Sequence, residues 1–397
     1  MNIAMSRYQD IAPTNGRNNK IKVIHIYKDF DIYNGLIEEF LLLARMMDPA
    51  AYDFRVCVFN YKGSSFGERF QELGGTLDSL HSKWEDNPFI IYRLYKYLKQ
   101  EKPHIVQTYI LKPNLYGRIA ALLAGIPVII STELTLKNQA HSMPSRIRDL
   151  FLHPLNAFLN KYTDVVLCAS DAIRKQWETT TLSGRVQVLN PYFDSSKLQQ
   201  PDPPRAKSAV SDNKHWVIGT VGRLSEEKRH IDLLKAFHEV GKVFPEATLL
   251  IVGDGDMKDK LITLAAQWNL SHKIRFTGFQ RNVCEYLAQM DVFVLPSRTE
   301  GFGIAVLEAM ATGLPVIATK VGGIPELVVH DETGVLVKPL HHKELSKAIV
   351  DLLSNPDRMH IMGQKGKERA FSSFSAAQFI HQHESVYKSA LATKGVL

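Results

Sequence analysis

Glu300 and Glu308 are two carboxylates separated by seven residues in the stretch SRTEGFGIAVLEAMATGLPVIATKVGGIPE (297–326). A glycine turn, Gly301-Phe302-Gly303, lies between them and opens a short helical pattern, GIAVLEAMA, which stops at Gly313 before a second strand, PVIAT. The preceding DVFVLPS reads as a buried strand. An acidic side chain, free backbone N–H groups and a helix N-terminus therefore meet at the C-terminal end of a strand. Open α/β sheets hold ligands at that place, and the amides with the helix dipole suit a phosphate. Eight fully helical steps cover about 12 Å, and the real gap is shorter because Glu300 precedes the helix. A carboxylate at each end with N–H groups between fits two hydroxyl-bearing groups joined by a diphosphate, which is the layout of a nucleotide sugar. Either carboxylate alone reads as a solvated side chain; the joint context carries the inference.

A second candidate is VGRLSEEKRHIDLLKAF (221–237). A strand ends at Gly222, and the pattern predicts a helix from about Ser225, with Glu226 and Glu227 in its first turn and Arg223 and Lys228 across it. A departing diphosphate carries about two negative charges. Arg offers a fork of donors and Lys a point charge against them. Preorganised cations and N–H groups aimed at developing charge are usually the largest catalytic term. Standing alone, the pair reads equally as two exposed cations near a helix start.

The stretch EGFGIAVLEAMATGLPVIATKVGGIPE resembles the signature of the retaining family-4 glycosyltransferases, which have the GT-B fold. The likeness runs through VGRLSEEK (221–228), VGDGDMKDKL (252–261) and IRFTGFQRNVCEYLAQMDVFVLPS (274–297), and is looser over 21–190. The resemblance implies that Glu300 contacts the donor hexose and Glu308 the nucleotide ribose. It assigns the diphosphate to Arg223, Lys228 and the neighbouring Gly222, and gives the amides of Gly301, Phe302 and Gly303 contacts to sugar and phosphate. It implies metal-independent transfer of a hexosyl unit, with retention, to an acceptor hydroxyl in surface polysaccharide, lipopolysaccharide or glycolipid synthesis. The donor would be a nucleotide sugar, of the UDP or GDP type. No cofactor is expected.

Departures fall on the acceptor side. The double glycine that relatives carry after the first strand is Tyr33-Asn34-Gly35-Leu36 here. Gly35 remains as a donor-side candidate, because Asn tolerates left-handed backbone. A His-x-His pair is replaced by Gln107 and Tyr109, and a histidine near the acceptor by Glu133 and Leu134. Glu133 reads either as an acceptor-side base or as a loop residue.

The elements that must position these groups alternate. IKVIHIY, FRVCVFN, HIVQTYI, PVIIST and DVVLCAS read as strands with helical or loop segments between them, which implies a parallel sheet covered on both faces. The Pro- and Ser-rich 197–214 reads as a linker, and HWVIGTVG starts a second alternating series. The expected architecture is two Rossmann-like doubly wound domains facing each other across a cleft. A polar tail occupies 1–20, an acceptor-side domain 21–196 and a nucleotide-sugar domain 215–372. A final helix within 373–397 returns to the first domain.

The 397 residues exceed one ordinary core, and 45% hydrophobic with 22% charged residues is normal for a globular chain. Three dispersed cysteines form no metal or disulfide spacing and point to a reducing compartment. The polar first twenty residues lack a signal-peptide core, and the longest apolar run, IAALLAGIPVII, is too short to span a bilayer. The location expected is cytoplasmic, with peripheral contact on the inner face of the plasma membrane. Between 90 and 150, nine Lys or Arg face three acids, nearly the whole excess behind the net charge of +7. Interleaved aromatics in FIIYRLYKYLK make that region a candidate for an anionic membrane surface, or an ordinary solvated helix face. No nucleic-acid module is recognisable. Asp29-Phe30-Asp31 and Asp254-Gly255-Asp256 match a metal-binding Asp-x-Asp only as isolated triplets, and the fifteen histidines form no metal set. No dinucleotide fingerprint follows the first strand, which argues against a dehydrogenase. A sugar-nucleotide epimerase, a disaccharide synthase or a non-catalytic nucleotide-sugar binder on the same fold are the alternatives.

Overall fold

The computed structural model describes residues 20–31, 35–82, 89–136, 155, 158–178, 185–197 and 215–396. The polar tail and almost all of the 197–214 linker lie outside them, as do Lys137, Arg146 and Arg148 of the basic region.

Two parallel sheets form the frame. The first holds β1 (Ile21–Asp29), β2 (Tyr52–Asn60), β3 (Thr76–Ser79), β4 (Ile105–Tyr109), β5 (Val128–Glu133), β6 (Val165–Cys168) and β7 (Val186–Val188), in the order β3-β2-β1-β4-β5-β6-β7. The second holds β8 (Val217–Val221), β9 (Thr248–Val252), β10 (Ile274–Phe276), β11 (Val292–Leu295), β12 (Val316–Thr319) and β13 (Gly334–Val337), in the order β10-β9-β8-β11-β12-β13. Each sheet reverses direction beside its first strand, as doubly wound sheets do. The strands are near-continuous apolar runs because helices cover both faces. Val23, Ile24, Ile26, Val56 and Val58 are fully buried in the first sheet, as are Ile251, Val292, Phe293 and Val294 in the second.

The chain crosses back at its end. Phe193 donates its N–H to the Phe374 carbonyl at 2.8 Å. Helix Ala376–Thr393 starts with a capping box between Ser375 and Gln378. It lays Phe379, Ile380, Tyr387, Ala390 and Leu391 into the core of the first domain. Among the described residues, no helix is long and apolar enough to cross a membrane.

The helix after β8 begins later than the sequence pattern predicts. Glu226–Lys228 form a 3-10 turn, Arg229 takes a left-handed conformation (φ 54°), and the helix runs from His230 to Val240. Arg229 is held there by Glu226 at 2.7 Å and by Asp232 at 2.9 Å. The two ion pairs across the kink separate turn from helix, and they leave Lys228 on the turn.

Candidate active site at the domain cleft

Four segments build the site. β11 delivers Ser297 and Glu300 at its C-terminal end. The turn 301–303 then feeds helix Ile304–Ala311, with Gly303 at φ 107°. A Cβ at Gly303 would lie 2.4 Å from Ile324 Cδ1, so the turn is closed to any other residue. Phe302 is buried 5.7 Å from the Phe374 ring. Its side chain belongs to the core, and only its backbone faces the turn.

Glu300, 7% exposed, accepts hydrogen bonds from Lys228 Nζ at 2.6 Å and Ser297 Oγ at 2.7 Å. Ser297 is fixed in turn, because its carbonyl accepts from Thr319 Oγ1 at 2.5 Å. Two residues 72 positions apart, picked from different motifs, thus form one ion pair at the mouth of the sheet. Glu308 is half-buried on helix 304–311, one helical stretch further on.

Arg223 is not gathered into that pair. It is 70% exposed and reaches Glu227 at 2.6 Å. Glu227 lies below the ordinary carboxylate range. Burial pushes it up, but hydrogen bonds from its own N–H and Ser225, with the Arg223 charge and hydrogen bond, outweigh that. The loop carrying Arg223 is braced from behind by the Gly253-Asp254-Gly255 turn. Leu224 N donates to the Asp254 carbonyl at 2.9 Å, and Met257 N to the Leu224 carbonyl at 2.9 Å. A Cβ on Gly253 would sit 2.0 Å from the Gly222 carbonyl, and one on Gly255 2.4 Å from that of Leu224. The Asp254-x-Asp256 triplet therefore packs backbone on backbone. Its Asp254 side chain pairs with Lys258 at 2.8 Å. Among the described residues, no three His, Cys, Asp or Glu side chains are placed to hold a metal ion.

The first domain supplies the facing wall. Gly35 opens helix Gly35–Met46, and a Cβ there would stand 3.5 Å from Ile304 Cδ1 across the cleft. A Cβ on Gly301 would stand 2.3 Å from the Leu134 carbonyl, so only glycine permits this approach. Arg281 of the second domain stacks over the Phe66 ring, 5.3 Å from its centroid.

Glu133 is the last residue of β5 and 8% exposed. Its carboxylate accepts from Asn114 Nδ2 at 3.0 Å. The Arg118 guanidinium is fully buried; burial lowers its pKa to about 10, and the Glu133 charge works against that shift. This is a buried arginine–carboxylate arrangement inside the first domain. A base role would require the Glu133 carboxylate to leave it. Gln107 and Tyr109, which replace the His-x-His pair, lie in a buried network that sequence reasoning missed. Tyr387 donates to Gln107 Oε1 at 2.6 Å and lies 3.1 Å from His25 Nε2, whose Nδ1 lies 2.7 Å from the Tyr109 hydroxyl.

Fold and site together define a two-domain α/β transferase with a phosphate-suited turn facing its partner domain. Two family models match: Glycosyltransferase Family 4 over residues 40–197 and Glycosyl transferases group 1 over residues 204–369. The chain belongs to glycosyltransferase family 4 and has the GT-B fold. It is 27% identical to the N-acetyl-alpha-D-glucosaminyl L-malate synthase of Bacillus anthracis over 292 residues, 73% of each chain. It is 26% identical to the UDP-Gal:alpha-D-GlcNAc-diphosphoundecaprenol alpha-1,3-galactosyltransferase of Escherichia coli, over 76% of this chain and 79% of that one. Among solved structures, a UDP-glucose complex of Anabaena HepE superimposes with a TM-score of 0.77 at 19% identity, covering 93% of this chain and 99% of that one.

Proposed function

We propose that this glycosyltransferase moves a hexosyl unit, with retention and without a metal ion, from a nucleoside diphosphate sugar to an acceptor hydroxyl. The observation that carries the reading is the Lys228–Glu300 ion pair, set beside the glycine turn at the start of helix Ile304–Ala311. Lys228 and the turn amides supply positive potential for a diphosphate leaving group, the role that fixed donors play best in a site closed to water. Glu300 offers a carboxylate to the hexose hydroxyls and Glu308 one to the ribose. Arg223, on an exposed and mobile-length side chain beside Glu227, is the second cation for the phosphates once the donor competes for it. The Escherichia coli relative takes UDP-galactose by name and HepE is solved with UDP-glucose, which favours a uridine donor.

A thermal-shift panel of UDP, GDP and ADP with their sugar conjugates tests this. A ligand at a hundred times its dissociation constant adds about 2.7 kcal/mol. Stabilisation by one base series, lost in Glu308→Ala, supports the donor site and names the nucleotide. No shift with any nucleotide, from folded protein, overturns the donor reading. Turnover is expected to survive EDTA, and the anomeric configuration of the product, read by NMR coupling constants, decides retention.

The acceptor we assign is a lipid-linked glycan. Helix Phe89–Glu101 buries Ile90, Leu94 and Leu98 and turns Phe89 (70% exposed), Tyr92 (53% exposed), Arg93, Lys96 and Lys99 outward. Lys96 Nζ sits 4.9 Å from the Tyr92 ring centre. Aromatics with basic residues suit the headgroup region of an anionic bilayer, and the Escherichia coli relative takes a diphosphoundecaprenol-linked sugar by name. Flotation with anionic vesicles at low and high salt tests the surface; absence of binding at every salt concentration removes it.

A further inference from the structure

Glu326 closes the signature stretch, yet neither the ion pair nor the turn uses it. It lies in the short helix Ile324–Leu327 of the second domain, and its carboxylate crosses to the first. Asp171 N donates to Glu326 Oε2 at 2.9 Å, Ala172 N to Oε1 at 3.2 Å, and Asn190 Nδ2 to Oε2 at 3.4 Å. The two amides are the first N–H groups of helix Asp171–Glu178, which have no partner within that helix. The next amide, Ile173, is capped from its own domain by Ser170 Oγ at 3.3 Å. One domain therefore satisfies the helix start of the other, with a negative charge on the positive end of a helix dipole.

The carboxylate is anchored on a rigid base. Arg369 donates to the carbonyls of Glu326 and Leu327, both at 2.8 Å. The backbone just before Glu326 rests on the donor turn. A Cβ on Gly322 would sit 1.6 Å from the Glu300 carbonyl. One on Gly323 would sit 2.7 Å from the Gly301 carbonyl and 2.9 Å from Ser170 Cβ. Residues 322–326 are thus a wedge between the Glu300–Gly301 backbone and the helix start at Asp171. Separating the domains must pull Glu326 off the two amides and release the wedge.

We propose that Glu326 is a closure latch: a positioning residue whose carboxylate holds the cleft shut on the helix at Asp171 and thereby seats the turn that carries Glu300. A protein whose competent state is only partly populated binds its ligand more weakly by that fraction. Losing the latch therefore weakens donor binding, and excess donor restores closure. The latch depends on the donor reading only for the ligand used to restore it.

Interdomain distances by pulsed EPR, between spin labels at Lys99→Cys and Lys347→Cys in a Cys284→Ser background, test this in the full chain. Glu326→Ala removes the acceptor. Asp171→Pro removes one donating amide at a helix position where proline is well tolerated, so an effect common to both does not reflect a folding defect of either. Wild type is expected at the short distance without nucleotide, and both variants at a longer one. Calorimetry is expected to show UDP binding weakened about tenfold in both, with saturating UDP returning the short distance. Variants with wild-type distances, or a wild type found only at the long distance, overturn the latch. A lower unfolding midpoint with unchanged distances makes Glu326 a local helix cap and overturns it equally. If wild type binds no nucleotide, the donor reading fails, and the nucleotide-free distances still decide the latch.

Discussion

The two domains each bury a polar cluster against the sheet, and they do so in opposite ways. In the second domain the cluster is charged and lies at the end of β11, where Lys228 meets Glu300 beside the cleft. In the first domain it is a chain of neutral groups in mid-sheet, His25, Gln107, Tyr109 and Thr132, roofed by Tyr387 and His383 of helix Ala376–Thr393. The difference follows from what burial costs. A neutral hydrogen bond survives inside if its partners are in place, whereas a buried ion pair recovers its desolvation only with very good geometry. The charge at the mouth of the second sheet lies where a ligand can exchange for it; the buried charge of the first domain, Arg118 near Glu133, is instead held by Asn114, Asn160 and Thr163, and the mid-sheet chain stays neutral. Burial holds His25 well below its ordinary pKa, with the charge of His383 adding to it, and lowers His383 to about 3.

The contrast breaks most clearly at Lys228. Lys228→Ala removes a cation aimed at developing charge and leaves Glu300 with Ser297 alone. Turnover is expected to fall about 100-fold, or about 2.7 kcal/mol, with the fold retained by circular dichroism. Full activity in this variant removes Lys228 from the site. Gly301→Ala tests the facing wall. Its methyl would meet the Leu134 carbonyl, a backbone atom that cannot swing aside, so kcat/KM is expected to drop at least tenfold (about 1.4 kcal/mol) with the fold retained by circular dichroism.

Tyr387→Phe sharpens the other side. It leaves Gln107 Oε1 and His25 Nε2 short of a partner in the interior, which costs about 1–3 kcal/mol. Urea midpoints are expected to fall accordingly, with kcat at saturating donor close to wild type. A large fall in kcat without a stability change would place this network in the chemistry and erase the contrast.

These predictions differ in how far the sequence supports them. The donor turn was legible because most of its constraints are local: Gly303 answers to a left-handed backbone and the nearby Ile324, and Glu300 and Glu308 to spacing on one turn and helix, whereas the Leu134 carbonyl that requires Gly301 lies in the other domain. The parallel architecture was legible from apolar runs alternating with helical patterns. The helix expected from Ser225 was misplaced because Arg229 adopts a left-handed conformation that arginine seldom takes and that two ion pairs impose. The neutral network was invisible because its partners are 280 and 362 positions apart, Tyr387 with Gln107 and with His25. Glu326 was inside the quoted stretch, but its partners lie 154 and 155 positions away in the other domain. The one local hint was the pair of glycines before it, which announce a close approach without saying of what.

The smallest expected effect lies where the two kinds of cluster meet. Glu39, on helix Gly35–Met46, accepts from the Tyr109 hydroxyl at 3.2 Å and so ends the neutral chain with an ionisable group. Burial pushes its pKa up to about 7, against the lowering effect of the Tyr109 hydrogen bond. The folded protein then holds a proton that the unfolded chain, titrating near 4.3, has already released. Stability from this group is therefore full below about pH 4 and is lost as pH rises toward 7. Protonated, Glu39 can donate to Tyr109, which donates on to His25 Nδ1, while His25 Nε2–H donates to Tyr387. Ionised, it claims the Tyr109 proton and forces His25 onto its other tautomer. Glu39 keeps some solvent contact, so the loss is set at about 1 kcal/mol rather than the full shift. Glu39→Gln, which stays neutral, is expected to match wild type below about pH 4 and to exceed it by that amount at pH 8 in urea titrations. A variant less stable than wild type at pH 8 would mean that the carboxylate is welcome there, and that the mid-sheet chain tolerates a charge as the mouth of the second sheet does.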